Sequence, residues 1–519
     1  MPIPVIDLFA GPGGLNEGFS RLRDAQGTRV FGSVISIEME QWAHQTLELR
    51  ALYRRLHDKG DVDAYYRYVS EQITRDQLFK DAKDLGREAK AEATKATLGE
   101  SDAGNLELER KIGAALKKAG SSECVLIGGP PCQAYSLVGR ARRTNDLGFE
   151  DDHKHTLYRE YLNIVRKFRP AAFVMENVPG LLSATLKGVQ MFEMICNDLR
   201  AAGYTLHPAC PTAGPDISEA NPRGFVVHAD HYGVPQARSR VFVLGLRSDL
   251  GLRPLSLPKP DKEKLVTVGQ VLGDLPRIRS RLSKEEDSGE NWLAAITETF
   301  AGYKLTGLEK AFHDRLNERL GAMTVAYPLG RRCIPRTHEG PESLRRWFIS
   351  AENRFILNHN SRGHMRRDLL RYFYWSAYAS HYGRSPSVLD VPHFLRPDHK
   401  NLSREPGMQP FIDRFRVQLK GRPSSTVVSH ISKDGHYFVH YEPKQCRSLS
   451  VREAARLQTF PDNYFFEGAV TDQYRQVGNA VPPYLANQIA GVVRDILSGD
   501  RTAASVPCRD TERALVITP

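Results

Sequence analysis

The chain has no apolar run approaching the roughly 20 residues of a bilayer-spanning helix, so no helical membrane span is expected. Its opening, "MPIPVIDLFAG", lacks the basic start and apolar stretch of a secretory leader, so a cytoplasmic location is expected. Cysteine is scarce: seven in 519 residues, Cys124, Cys132, Cys196, Cys210, Cys333, Cys446 and Cys508, dispersed, odd in number and without a C-x-x-C pair. That argues against a disulfide framework and a cysteine-rich zinc site; reduced thiols and no metal are the expectation. No repeat of solenoid period and no low-complexity tract is present. The phosphate-binding signature G-x-x-x-x-G-K-[ST] is missing too.

What is present is an ordinary globular composition, 41% hydrophobic and 26% charged, with a formal net charge of +11. The length predicts two or three domains, and the charge points to a polyanionic partner, with nucleic acid the leading candidate. "PIPVIDLFAG" reads as a buried strand ahead of a glycine stop, "GGLNEGFSRL" as a helix, "VFGSVISIEM" as a second strand, and "QWAHQTLELRALYRRL" as the helix behind it. Between about 58 and 120 the chain turns rich in Lys, Glu and Ala and reads as an exposed helical insertion. The strand–helix rhythm resumes at "ECVLIGG" and runs to "SRVFVLGLR", predicting a doubly wound α/β domain with a parallel sheet. After Arg247 it dissolves into a second domain, and regularity returns at "LSVREAARLQTF" and "PPYLANQIAGVVRDIL".

Several short stretches stand where such a sheet binds ligands. Gly11, Gly13 and Gly14 follow the first strand, where backbone can approach a ligand and helix amides face it. Glu38 ends the second strand, a position from which a carboxylate can accept both hydroxyls of a ribose. A surface glutamate beside a tight turn is the plainer alternative. Cys132 follows "GGPP", whose prolines stiffen the loop and can hold a thiol in one orientation, although a lone cysteine more often only packs. Glu176 and Asn177 end a later strand, and a carboxyl there could protonate a ring nitrogen. Arg238 and Arg240 fall two apart on one strand and so on one face, suited to a phosphate or base carbonyl, or simply to an exposed edge.

"DLFAGPGG", "GGPPCQAYS", "ENVPG", "YGVPQARSR", "REAARLQTFPD" and "QVGNAVPP", in this order over residues 5 to 485, together resemble the DNA cytosine-5 methyltransferases. The resemblance implies a Rossmann-like catalytic domain at 1–247, carrying the insertion at 58–120, and a smaller target-recognition domain at 248–446. A returning catalytic segment at 447–498 and a tail at 499–519 complete the expected division. It implies methyl transfer from S-adenosylmethionine to carbon 5 of cytosine in double-stranded DNA, in a restriction–modification setting with a possible cognate endonuclease, by a monomer. Cys132 is then the nucleophile and Glu176 the group on the base's amine and ring nitrogen 3, with Arg240 and Arg238 nearby. Phe9, Gly11, Gly13, Gly14, Leu15, Glu38, Met39, Pro130, Asn479 and Val481 are expected around the methyl donor.

The chain departs from the family pattern in the long gap before Cys132, which leaves Asp61 as a candidate for the adenine amine. The insertion is read either as a source of DNA contacts or as a solvated hairpin. Residues 331–372 mix many arginines with Trp347, Phe348, Phe355 and Tyr372, as expected where phosphates and bases are contacted. Two other functions stay open. A tRNA-directed branch of the family carries a Cys-Phe-Thr tripeptide that this chain lacks, and a binding-only relative would be expected to lose Cys132 or Glu176, both of which are present.

Overall fold

A computed structural model describes residues 1–121, 123–131, 157–186, 189–210, 221–301, 308–337, 339–396 and 415–499. Its central sheet is built from β1 (Ile3–Leu8), β2 (Phe31–Glu38), β3 (Ala93–Lys95), β4 (Val125–Gly128), β5 (Ala172–Asn177), β6 (Tyr204–Pro208), β7 (Val226–His228) and β8 (Ser239–Arg247). The strand order is β3-β2-β1-β4-β5-β8-β6, with β7 also paired to β8. Strands β1 to β5 run parallel, whereas β8 is antiparallel to β5, β6 and β7. The doubly wound α/β domain with a parallel sheet that the sequence rhythm predicts is therefore present, with five parallel strands and an antiparallel edge around β8.

The apolar run of β1 is buried on both faces, as a central parallel strand requires. On one face lie α1 (Gly14–Arg21) and the last helix of the chain, on the other the helices Asp102–Ala119, Leu157–Phe168 and Met191–Ala201. The described α-helices of seven or more residues are, in chain order, α1, α2 (Gln41–Asp58), α3 (Asp63–Val69), α4 (Arg75–Asp81), α5 (Lys83–Glu92), α6 (Asp102–Ala119), α7 (Leu157–Phe168) and α8 (Met191–Ala201). They continue with α9 (Gly289–Ala301), α10 (Lys310–Gly321), α11 (Arg366–Tyr382), α12 (Val451–Leu457), α13 (Val470–Asn479) and α14 (Pro483–Ser498). Helix α14 returns to lie on α1: a side chain on Gly18 would meet the Ala486 Cβ at 2.4 Å, and Asn487 Nδ2 donates to the Gly18 carbonyl at 2.8 Å. Sequence-distant ends thus share one core.

The region read as an exposed helical insertion is exposed over about half of its residues, but it sends one side into the rest of the protein. Strand β3 extends the sheet beside β2, and α6 sends Leu108 and Ile112 into the core beneath it. Helix α3 buries Tyr65, Tyr66 and Tyr68 in a cluster with Leu357 and Phe465. Tyr65 Oη donates to the Asn463 carbonyl at 2.7 Å, Tyr68 Oη to Glu467 at 2.7 Å, and Asn463 Nδ2 to Tyr53 Oη at 2.7 Å. A buried tyrosine usually places its hydroxyl on a partner, and Tyr65 and Tyr68 do so on the 463–467 segment, which fixes α3 against it, whereas the Tyr66 hydroxyl is buried without one. A solvated hairpin detached from the core does not describe it. Beyond Arg247, α9, α10 and α11 enclose a second core around Trp292 and Trp375, and β9 (Arg331–Pro335) pairs antiparallel with β10 (Phe355–His359). Among the described residues no helix is long and apolar enough to cross a membrane.

Candidate active site

The strand order reverses direction between β1 and β4, the point where open α/β sheets leave a crevice at the carboxyl ends of their strands. Leu8 is paired with Gly128 across that point, so the loops after β1 and β4 leave the sheet side by side. Their glycines answer to space. A Cβ on Gly128 would lie 2.4 Å from the Leu8 carbonyl oxygen, and one on Gly129 would lie 2.8 Å from Glu176 Oε2. The first loop is held left-handed at Phe9 (φ 54°), Gly11 (φ 56°) and Gly13 (φ 89°). Positive φ at Phe9, a non-glycine, is a local strain of the sort that concentrates at functional sites.

Gly11 N donates to Glu38 Oε2 at 2.8 Å and Glu40 N to Glu38 Oε1 at 2.7 Å, so the carboxylate at the end of β2 is fastened to the glycine loop. Burial pushes the Glu38 carboxyl above the usual range, opposed by the hydrogen bonds from the Glu40 and Gly11 amides. Above Gly11 the space is open: a Cβ there would meet nothing within 4 Å. Across the loop, a Cβ on Gly14 would lie 2.2 Å from the Val481 carbonyl oxygen, so "GNAVPP" closes directly on the start of α1. Leu15 turns its side chain into the core with Phe19 and Val481, leaving only its backbone toward the crevice; Met39 is 60% exposed and Asn479 is exposed. This open glycine cradle, with a carboxylate at its side and unpaired first-turn amides of α1, fits an adenosine-bearing ligand with a charged amino-acid end.

The chemistry-bearing side follows from sheet register. Glu176 sits opposite Phe242 on the antiparallel strand, and Arg240 lies two residues before Phe242, which makes Arg240 and Glu176 diagonal neighbours on one face. Arg240 Nε lies 2.9 Å from Glu176 Oε1, both side chains largely shielded. Burial lowers the Arg240 guanidinium's pKa from its usual value, and Glu176 opposes that shift. Asn177 Nδ2 donates to the Pro130 carbonyl at 3.0 Å and its Oδ1 accepts from Val178 N at 2.9 Å, so this residue ties the proline loop to the end of β5. Pro131 is the last described residue before Cys132, which lies outside the described residues.

Arg238 departs from the expectation of paired guanidinium groups at the site. It falls in the break before β8, is 1% exposed, and donates to the Val427 carbonyl at 2.8 Å and the Ala480 carbonyl at 2.9 Å. Its hydrogen bonds brace two distant segments, at Val427 and Ala480, against the stretch that leads to Arg240. Asp61 is likewise not beside Glu38: it follows the carboxyl end of the 18-residue α2, whose other end adjoins Glu38, a span of about 25 Å at 1.5 Å per residue. The segment next to Glu38 is the one after β3, where Ala96 N donates to the Glu38 carbonyl at 3.1 Å. Of the aromatics singled out within 331–372, Phe348 and Tyr372 are fully buried, whereas Trp347 and Phe355 are half-buried, and Trp347 Nε1 donates to the Thr459 carbonyl at 2.8 Å. The sequence places Asn177 at the strand end without giving it a role and gives Gly129 none, though the doubled glycine of "GGPP" is a legible sign of close backbone approach.

This sheet order, glycine loop and strand-end carboxylate define a Rossmann-like methyltransferase fold. The model of C-5 cytosine-specific DNA methylases matches residues 117–494, and the chain belongs to that family: it is a DNA cytosine-5 methyltransferase. It is 32% identical over 515 residues to the type II methyltransferase M.Bpa9945I of Bacillus paralicheniformis, covering 95% of this chain and 99% of that one. It is 26% identical over 413 residues to the DNA (cytosine-5-)-methyltransferase M.ApeKI of Aeropyrum pernix, covering 72% and 81% of the two chains. The crystal structure of a prophage-encoded DNA modification methyltransferase (E. coli) superposes with a TM-score of 0.51 at 21% identity over 96% of this chain and 99% of that one, a likeness of fold.

Proposed function

We propose that the chain methylates carbon 5 of a cytosine within a specific duplex sequence through a covalent bond to Cys132, and that the mark protects DNA from a cognate restriction endonuclease. The observation that carries this reading is the Arg240–Glu176 pair set beside the proline loop that leads into Cys132. Carbon 5 of cytosine is a poor nucleophile, and addition of a thiolate at carbon 6 makes it an enamine-like one. The new carbon–sulfur bond sends ring electrons toward nitrogen 3, where Glu176 delivers a proton while holding the exocyclic amine. Arg240 fixes the Glu176 carboxyl in place for that transfer. S-adenosylmethionine supplies the methyl group from a sulfonium that leaves as a neutral thioether. A base then removes the carbon 5 proton, the carbon–sulfur bond breaks, and the Cys132 thiolate is regenerated.

Phe9, Gly11, Gly13, Gly14, the Leu15 backbone, Glu38, Met39, Pro130, Asn479 and Val481 would hold the methyl donor, with Glu38 on the ribose. The other thiols support Cys132 by contrast: burial pushes Cys124 up to about 12, Cys333 up to about 11, and Cys446 well above its usual value, so none of these is available as thiolate. The target base lies inside a duplex stack, so reaching it requires swinging it out at a cost of a few kcal/mol. The test is incubation with methyl-labelled S-adenosylmethionine and mixed-sequence duplex, alongside Cys132→Ala. Label in 5-methylcytosine from the wild-type chain alone is expected; label on tRNA instead, or none on DNA, would overturn the reading.

A further inference from the structure

The glycine loop after β1 is held from behind by one buried phenol. Tyr464, 0% exposed, donates its hydroxyl to the Pro12 carbonyl. Pro12 has no N–H, so that carbonyl is its one hydrogen-bonding group. At the other end of the same peptide unit, Gly13 N donates to the Ala10 carbonyl at 2.9 Å. The Pro12–Gly13 peptide plane is thus pinned at both of its polar groups, and it leads into the left-handed turn at Gly13 (φ 89°) from which α1 starts. Contact there is close as well: a Cβ on Gly13 would lie 3.0 Å from Tyr464 Oη.

Tyr464 is itself braced. Arg50 of α2 lies over its ring at 4.6 Å and is paired with Glu17 of α1 at 2.5 Å. The preceding residue, Asn463, is held on both sides: its carbonyl accepts from Tyr65 Oη at 2.7 Å and Arg50 Nη1 at 3.3 Å, and its Nδ2 donates to Tyr53 Oη at 2.7 Å. Tyr53 belongs to α2 and Tyr65 to α3, in the region that the sequence sets apart as an insertion, and their rings meet edge to face at 4.7 Å. A continuous path therefore runs from α3 through Asn463 and Tyr464 to Pro12. Tyr53, Tyr65 and Tyr464 are all buried, so they reach a ligand in the crevice only through the loop.

We infer that Tyr464 is a positioning residue for the methyl donor: braced by α2 and α3, it presets the glycine loop in the shape that takes S-adenosylmethionine. The inference rests on the reading that this loop holds that ligand. It gives α3 a task, as a strut behind the cofactor crevice. A loop that spends only part of its time in the competent shape lowers apparent affinity by that fraction. Once the ligand is bound the loop has regained its shape, so methyl transfer itself is unaffected and the loss falls on KM rather than on turnover. A tyrosine that merely filled the core would change stability and leave cofactor affinity alone.

The test compares the wild-type chain with Tyr464→Phe, the double variant Tyr53→Phe/Tyr65→Phe and Tyr204→Phe, all of which keep their rings and lose only hydroxyls. Tyr204 Oη donates to the Pro170 carbonyl at 2.9 Å at the amino end of β5, so Tyr204→Phe matches the loss of one buried hydrogen bond away from the loop. Calorimetric titration with S-adenosylmethionine in the absence of DNA is expected to show affinity about fivefold weaker for Tyr464→Phe, about twofold weaker for the double variant and unchanged for Tyr204→Phe, within the range of one hydrogen bond. KM for S-adenosylmethionine rises in the same proportion, while turnover at saturating cofactor and KM for duplex stay at the wild-type values. Without cofactor, the peptide carrying Gly11 and Gly13 exchanges its amide hydrogens faster in Tyr464→Phe than in the wild type. Wild-type affinity in Tyr464→Phe overturns the positioning role and leaves the methylation reading intact. Equal weakening in Tyr204→Phe also overturns it, since lost stability then accounts for the effect. Wild-type affinity in the double variant, with Tyr464→Phe weakened, overturns the bracing by α3. Failure of the wild-type chain to bind S-adenosylmethionine overturns both the inference and the reading beneath it.

Discussion

Replacing Gly14 with alanine is expected to destabilise the protein and loosen its grip on S-adenosylmethionine together. In a helix, glycine to alanine ordinarily stabilises by about 0.5–1 kcal/mol because the unfolded chain loses freedom. Here the new methyl group would lie 2.2 Å from the Val481 carbonyl oxygen and 3.1 Å from Val481 N, so one backbone has to move by about 1 Å to reach van der Waals contact. That backbone cannot give easily. The preceding Ala480 carbonyl is held by Arg238 at 2.9 Å and Gln458 at 3.3 Å, and two prolines follow. Overpacking of this kind costs about 1–3 kcal/mol, which outweighs the helical gain. Because Gly14 and Val481 both face the proposed cofactor crevice, a displacement there is expected to weaken S-adenosylmethionine binding about tenfold, or about 1.4 kcal/mol. Gly491→Ala in α14, where a Cβ meets nothing within 4 Å, is the control expected to stabilise by about 0.5–1 kcal/mol with unchanged cofactor binding. Urea denaturation and calorimetric titration read both quantities; a Gly14→Ala protein as stable as wild type, with the same cofactor affinity, would refute this.

Arg238→Ala is expected to cost about 2–5 kcal/mol by urea denaturation, since it strands the buried Val427 carbonyl, takes the nearer of two donors from the Ala480 carbonyl and leaves a cavity. Arg240→Ala, by contrast, is expected to leave the urea midpoint near wild type and to lower the turnover number more than it alters KM for DNA, because it releases the Glu176 carboxyl. Burial alone would raise the Glu17 carboxyl, but the Arg50 guanidinium, 2.5 Å away, takes it down to about 2. With its folded value below the unfolded one, this pair's stabilisation is complete above about pH 4.5 and is lost as pH falls toward about 2; Glu17→Gln should therefore show a shallower loss of urea midpoint between about pH 5 and pH 3.

What was legible in the sequence was local. The β-branched run of β1, the glycine stop after it and the glutamate closing β2 each announce themselves within ten residues, and the proline-stiffened loop after β4 is equally self-contained. What escaped depends on partners far along the chain. The tyrosines of α3 read as part of a charged helical stretch because Asn463, Glu467 and Phe465, which bury and satisfy them, lie about four hundred residues away. Arg238 and Arg240 look equivalent on a strand, and only the fold shows one bracing carbonyls and the other holding Glu176. The reversal of β8 is similarly a property of the sheet, since a buried strand has the same apolar pattern in either direction.

The central claim is tested most directly with a duplex in which fluorine replaces the hydrogen on carbon 5 of the target cytosine. The fluorine cannot leave as a proton, so the carbon–sulfur bond formed before methyl transfer is not broken. The expected result, with S-adenosylmethionine present, is a protein–DNA complex that survives denaturation, carries one methyl group, and yields on proteolysis a nucleotide-bearing peptide that includes Cys132. An adduct on another cysteine, or active methylation of ordinary duplex with no trapped complex, would contradict the account.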